Sequence, residues 1–232
     1  MEAGCPIFQT FEAEKRVSVE LEQLLDDIVA RFRNVEPHLF KDAADYEWDD
    51  CLPEEEFSWV QLGGALTIPV AVKDKGTRGK PKACHLSIRF DVYREIAADE
   101  PPVWEQAAEA LMVIGSSPVK DPWENYFMVV TPDGRLRDKD AWEACRTNRH
   151  AEGKLLEWAE VAQGRKWAQR GWIFALPLRS FNDPESVDKQ LVQPVLRLLV
   201  KNDDPDVSLA GTAAIKWSQQ PTSASSLAGH SK

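Results

Sequence analysis

The chain has 232 residues, 43% of them hydrophobic and nine of them Trp, with a formal net charge of −10. That length and apolar content are enough to bury a sizeable core. The acidic balance repels nucleic-acid phosphates and anionic membrane surfaces, so nonspecific binding to either is disfavoured.

The charge is polarised along the chain. Residues 1–133 hold 13 Lys/Arg against 26 Asp/Glu, whereas residues 134–201 hold 13 against 9. The opening MEAGCPIFQTFEAEKR lacks the apolar run of a signal peptide, and no long apolar stretch follows, which predicts a cytoplasmic protein with no membrane partner. Cys5, Cys51, Cys84 and Cys145 form no C-x-x-C pair and have no His at zinc-ligand spacing. They read as reduced thiols, with Cys84 and Cys145 in the core.

Residues 1–16 read as an N-terminal extension. From Val17 to about Phe40, Val19, Leu21, Leu24, Leu25, Ile28, Val29 and Phe32 recur at helical spacing and predict an amphipathic helix ending near Pro37. The next segment is the densest in charge, with eight acidic residues among the fifteen from Asp42 to Glu56. It reads as an exposed loop or a fraying extension of the helix. Phe57 to Val72 favours an extended chain, with a bulge or break at Gly63-Gly64. KDKGTRGKPK, from Lys73 to Lys82, reads as an exposed hairpin loop. In the returning strand, Leu86, Ile88, Phe90 and Val92 alternate with His85, Ser87, Arg89, Asp91 and Tyr93. This predicts one apolar face and one solvated polar face.

Pro101-Pro102 precedes a predicted helix carrying Trp104, Ala107, Ala108 and Leu111, and Gly115-Ser116-Ser117-Pro118 reads as a loop. Tyr126 to Val130 predicts a strand closed by the turn Thr131-Pro132-Asp133-Gly134. Two helices follow, one through Trp142 and Cys145 and one from about Glu152 to Ala168 with Leu155, Trp158, Ala159 and Ala162 inward. Trp172 to Leu178 predicts a strand buried on both faces. Asn182 or Asp183 with Pro184 starts a last helix, striped by Val187, Leu191, Val195, Leu198 and Leu199 and kinked by Pro194. Thr212 to Trp217 suggests a short edge strand, and residues 218–232 read as a disordered tail. The expected architecture is a single α+β domain over 17–217, a mostly antiparallel sheet of about five strands packed with four or five helices.

The chemistry-bearing candidates are few, and no catalytic signature stands out, so the reading leans away from an enzyme. The strongest is the acidic segment, where Phe40, Tyr46, Trp48, Phe57 and Trp59 alternate with carboxylates. Asp45, Tyr46, Glu47, Trp48, Asp49, Asp50, Glu54, Glu55 and Trp59 suit docking on a basic protein, with rings giving buried area and charges giving steering. An inhibitor, immunity protein or regulatory subunit fits this pattern, with no cofactor. The alternative is a divergent metal-dependent nuclease or phosphodiester hydrolase. Its strand face would carry His85, Arg89, Asp91 and Glu95, with Mg2+ or Mn2+ held by Asp91 and Glu95. The lysine such a site uses is missing from Asp91-Val92-Tyr93-Arg94-Glu95. A third reading, nucleic-acid binding, is possible but not favoured. It uses Lys75, Arg78, Lys80, Arg165, Lys166 and Arg170, with Trp167 and Trp172 stacking on unpaired bases. Against it, the two tryptophans fasten a helix–strand junction.

Overall fold

The computed structural model describes residues 6–40, 47–49, 63–72, 82–91, 110–118, 147–158 and 165–216. Their framework is one antiparallel sheet of seven strands: β1 (Glu47–Asp49), β2 (Gly63–Val72), β3 (Lys82–Asp91), β4 (Leu111–Ser117), β5 (Thr147–His150), β6 (Leu155–Trp158) and β7 (Gly171–Pro177). The spatial order is β1-β2-β3-β4-β7-β6-β5, so a meander over the first four strands meets β7, which β6 and then β5 continue. The α+β expectation stands, with more strands and fewer helices among the described residues than the sequence suggests.

Three α-helical elements stand among the described residues, beside short 3-10 turns. α1 (Pro6–Val35) begins inside the stretch read as an extension. Leu25, Ile28, Val29 and Phe32 are buried, as the 3.6-residue period requires. Val19, placed in the same stripe by sequence, is 42% exposed, and Leu21 is the first of the stripe to be partly buried. The helix stops just before Pro37. Phe40 then folds back to stack on Phe32 with ring centroids 4.7 Å apart, and the Ala71 N–H donates to the Leu39 carbonyl, tying this turn to β2.

α2 is the continuous rod over residues 184–201. Its start is as predicted: Asp183 accepts from the Ser186 N–H at 2.7 Å, and Pro184 occupies the first turn. Pro194 has no N–H to give the ladder and crowds the carbonyl four residues back. The rod passes through it with wide i→i+5 turns over Asp188–Val192 and Arg197–Lys201, so the irregularity predicted at Pro194 takes the form of two π-helical stretches. Asn202, left-handed at φ 58°, ends the rod, and Asp204 caps α3 (Pro205–Ser208).

Register explains the layers. Ile68 lies opposite Leu86, Ile88 opposite Ile114, Phe90 opposite Met112, and these continue to Phe174 and Leu176 in β7. This face packs in one cluster with the stripes of α1 and α2. An Arg31–Asp188 ion pair at 2.6 Å links the two helices, and Asp27, then Asp188, hold the Arg31 guanidinium above its ordinary pKa. On the opposite face Leu111, Val113, Leu156, Ile173 and Ala175 are also buried. Every residue of β4 and of β7 is buried, confirming the strand predicted from Trp172.

Four predicted elements are corrected. Leu111 to Ser117 is a central strand, not a helix end followed by a loop. Gly115 is there because a Cβ would stand 3.1 Å from the Ile173 γ-methyl, not because the chain turns. The helix predicted from Glu152 to Ala168 is instead a tight turn at Ala151–Gly153, strand β6, and a 3-10 turn at Trp167–Gln169. Leu155, Leu156 and Glu157 are consecutive and all buried, which one face of a helix cannot achieve. Gly63 and Gly64 pair in unbroken register with Asp91 and Phe90, so no bulge interrupts β2. Thr212 to Lys216 forms no strand, although Ala214 and Ile215 are buried and the Ile215 N–H donates to the Ala175 carbonyl at 3.0 Å. The expectations for residues 92–109, 119–146 and 217–232, including the strand from Tyr126, the helix through Trp142 and the tail, lie outside the described residues.

Candidate functional site

Three places carry the chemistry singled out by sequence. The first is the polar row of β3. Alternation sets His85, Ser87 and Arg89 on the sheet face opposite the helices, as predicted. That face is not solvated at its middle, however: Ser87 is 0% and Arg89 3% exposed, with His85 half-buried. Ser87 shares a hydrogen bond with Thr67 at 3.1 Å across the β2–β3 pair. A guanidinium inside a protein is costly unless paired, and Arg89 does engage in a polar interaction. The expectation of a solvated strand face is therefore overturned at Ser87 and Arg89, which are buried although they lie on the face opposite the helices. Asp91 is the last residue of β3, opposite Gly63 and Leu111, while Glu95 lies outside the described residues. Among the described residues no group of three or more His, Cys, Asp or Glu is placed to hold a metal ion.

The second place is the segment from Arg165 to Trp172. Trp167 is 7% and Trp172 0% exposed, so neither ring is available to stack on a base. The Trp172 indole N–H donates to the Trp167 carbonyl at 3.0 Å, and the Trp167 N–H donates to Asn202 Oδ1 at 2.8 Å. The tryptophans fasten a turn to a strand and to the end of α2, which corrects the nucleic-acid reading of these rings. Arg170 is likewise engaged. Its guanidinium lies 4.7 Å over the Trp167 ring and 3.3 Å from Glu157 Oε1. The other Glu157 oxygen lies 2.7 Å from His150 Nε2, and the His150 ring meets Trp167 edge-on at 5.1 Å. Glu157, with its side chain 4% exposed, is thus a buried carboxylate between two partly exposed basic groups. Sequence reasoning missed it, having placed Glu157 on a helix. The signal that finds it is a lone acid inside the apolar run Leu155-Leu156-Glu157-Trp158, a position that needs a partner if buried. Lys75, Arg78 and Lys80 lie outside the described residues; Arg165 is exposed and Lys166 half-buried.

The turn joining β5 to β6 is strained. Ala151 and Glu152 have φ of 52° and 57°, and Gly153 follows at 91°. Left-handed backbone costs a non-glycine residue about 1 kcal/mol. A Glu152–Lys216 ion pair at 3.3 Å spans from this turn to the C-terminal segment. On the opposite sheet face, loss of solvent around Arg149 lowers its pKa.

The third place is the acidic segment. Glu47–Asp49 is not a loop or a helix extension but a strand, and it stands at one end of the seven-strand order. Its register is Glu47 opposite Thr67, Trp48 opposite Leu66, and Asp49 opposite Ala65. The Trp48 row continues through Ile88, Ile114 and Phe174, and the Asp49 row continues through Arg89. Asp45, Tyr46, Asp50, Glu54, Glu55, Phe57 and Trp59 lie outside the described residues. Phe40, read as part of the aromatic set, is wholly buried against Phe32.

A polar cleft of about 830 Å³ also runs along α2, lined among others by Asn182, Glu185, Lys189, Gln193, Arg197 and Ser208. Arg197 is anchored there by donation to the Val207 carbonyl. None of the sequence-predicted site residues lines it. No helix among the described residues is long and apolar enough to cross a membrane. No protein-family model, curated protein or solved structure matches this chain.

Proposed function

We propose that this chain is a non-catalytic interaction protein that holds a basic protein partner through its acidic, aromatic-rich segment from Asp42 to Trp59. An inhibitor, an immunity protein or a regulatory subunit is the kind of molecule intended, working in the cytoplasm. The observation that carries the reading is the position of β1: the centre of the most acidic stretch is anchored to the sheet, at one end of the strand order among the described residues. A segment anchored in this way loses less conformational entropy on binding than a loose tail, and its carboxylates steer a cationic partner.

The test compares capture by the wild-type chain with capture by a variant carrying Asp45→Asn, Glu47→Gln, Asp49→Asn and Asp50→Asn together. Supporting the reading is one identified basic protein that binds the wild type, is released by high salt and is lost from the variant while the thermal melt is unchanged. Equal capture by the variant, or no basic partner, overturns it.

The hydrolase reading, the alternative, places its metal at the end of β3, where Asp91 closes the strand. On that reading Asp91 and Glu95 hold Mg2+ or Mn2+, and Arg89 or Arg94 lies near the phosphodiester. Incubation with DNA and RNA in either metal beside an Asp91→Ala control tests it; absence of cleavage, or cleavage that survives the substitution, removes it.

A further inference from the structure

The cleft along α2 is walled by residues between 180 and 210, none of them in a strand, and its volume of about 830 Å³ falls within the usual range of small-molecule sites. We propose that it binds a small polyhydroxylated phosphate, the chemical class of a sugar phosphate, with Arg197 on the phosphate. Such a site stands independently of the acidic segment and of any protein partner.

The charges favour an anion. Of the acids that line the cleft, Asp183 is engaged in capping Ser186 and Asp188 in its ion pair with Arg31, which leaves Glu185. The cations are not spent in this way: neither Lys189 nor Arg197 has an ion pair among the described residues. Arg197 is half-buried, and donation from its Nη1 to the Val207 carbonyl at 3.2 Å holds the guanidinium while leaving its other N–H groups for a ligand. A fixed planar fork of donors suits a pair of phosphate oxygens. Ser208, next in the chain after that anchor, also lines the cleft; it is 1% exposed, and its hydroxyl has no hydrogen-bond partner among the described residues. Buried hydroxyls are normally bonded, and a phosphate oxygen beside Arg197 supplies the missing partner.

The rest of the wall suits hydroxyls. Lys189, Gln193 and Arg197 recur every four residues and span about 12 Å along the axis, so a ligand lying along α2 meets an amide and then an ammonium beyond its phosphate. Glu185 continues the wall as an acceptor. No aromatic ring is among the described lining residues, so a nucleobase has nothing there to stack on. The rod also departs from α geometry at this wall: π-helical turns over Asp188–Val192 and Arg197–Lys201 flank Pro194, which lines the cleft too, and such turns recur at functional sites.

Titration calorimetry on the full chain at low salt tests this with glycerol 3-phosphate, ribose 5-phosphate and glucose 6-phosphate, beside inorganic phosphate and glucose. At least one of the three esters should bind about tenfold or more tightly than inorganic phosphate and than glucose, because neither control makes both sets of contacts. Arg197→Gln should reduce that ester to the affinity of glucose. Gln193→Ala, at an exposed position, should weaken the ester without changing the affinity for inorganic phosphate. Ser208→Ala should weaken the ester about tenfold while the thermal melt of the ligand-free chain stays the same or rises, since the hydroxyl removed has no bond to lose. Binding of none of the three esters overturns the site. So does inorganic phosphate binding as tightly as the best ester, or an ester affinity that Gln193→Ala and Ser208→Ala leave unchanged.

Discussion

Replacing Glu157 gives the sharpest energetic test of this architecture, because it removes the one acid shared by β5, β6 and the Arg165–Arg170 segment. Its carboxylate is 2.7 Å from His150 Nε2 and 3.3 Å from Arg170 Nη1. At the effective dielectric of about 20 that suits such sites, a charge pair at that longer distance attracts by about 5 kcal/mol before desolvation is subtracted. Removing one partner of a fully buried pair costs about 3–5 kcal/mol. Here the survivors can rehydrate, since the side chains of Arg170 and His150 are 26% and 29% exposed. The expected loss for Glu157→Ala is therefore about 2–3 kcal/mol, and for Glu157→Gln, which keeps shape and one acceptor, about 1–2 kcal/mol. Urea denaturation followed by tryptophan fluorescence measures both, with unchanged m-values marking a change in stability alone. The loss should be nearly the same at low and high salt, because a buried pair is screened little. A loss below about 0.5 kcal/mol, or one that vanishes in salt, would show that Glu157 is an ordinary surface acid and refute the reasoning.

Three further outcomes follow from other parts of the fold. Burial pushes the Cys84 thiol from its ordinary 9.0 up to about 12, an effect only partly offset by Ser116. The unfolded chain releases that proton above pH 9 while the folded one keeps it, so stability present below pH 9 is lost as pH rises towards 12. The slope is about 1.4 kcal/mol per pH unit, and Cys84→Val should remove that component from denaturation curves taken above pH 9. Asp183→Ala, which removes the reciprocal cap with Ser186, should cost about 1 kcal/mol in urea, whereas loss of less than a quarter of that figure argues that the start of α2 is held by packing instead. Phe32→Ala, emptying a wholly buried position stacked on Phe40, should cost about 3–5 kcal/mol by the same assay; a cost under about 1 kcal/mol would mean that α1 is not part of this core.

How much of this was legible beforehand depends on the range of the interaction. Local patterns were sufficient for the stripe from Leu25 to Phe32, the alternation of β3, the all-apolar β7, and the Asp183-Pro184 start of α2, because period and capping are written in neighbouring residues. They misled where a short apolar run fits two periods. Leu155 and Trp158 match a helix face, yet the buried neighbours Leu156 and Glu157 show a strand lodged between two covered faces. The candidate sites divide in the same way. That Trp167 and Trp172 act as structural fasteners was readable from composition and position, but the Glu157 cluster joins residues 150, 157 and 170, and no spacing rule links them. The chain alone determines that β3 has a polar side and that the segment around Trp48 is acidic. Only the assembled sheet decided that Ser87 and Arg89 lie inside, that Gly115 serves the approach of Ile173 instead of a turn, and that Glu47 to Asp49 is a strand at the end of the described order. The physical reason is that burial of a polar residue, strand order and edge position are set by segments far away in the chain, whereas periodicity records only what each segment can hide by itself.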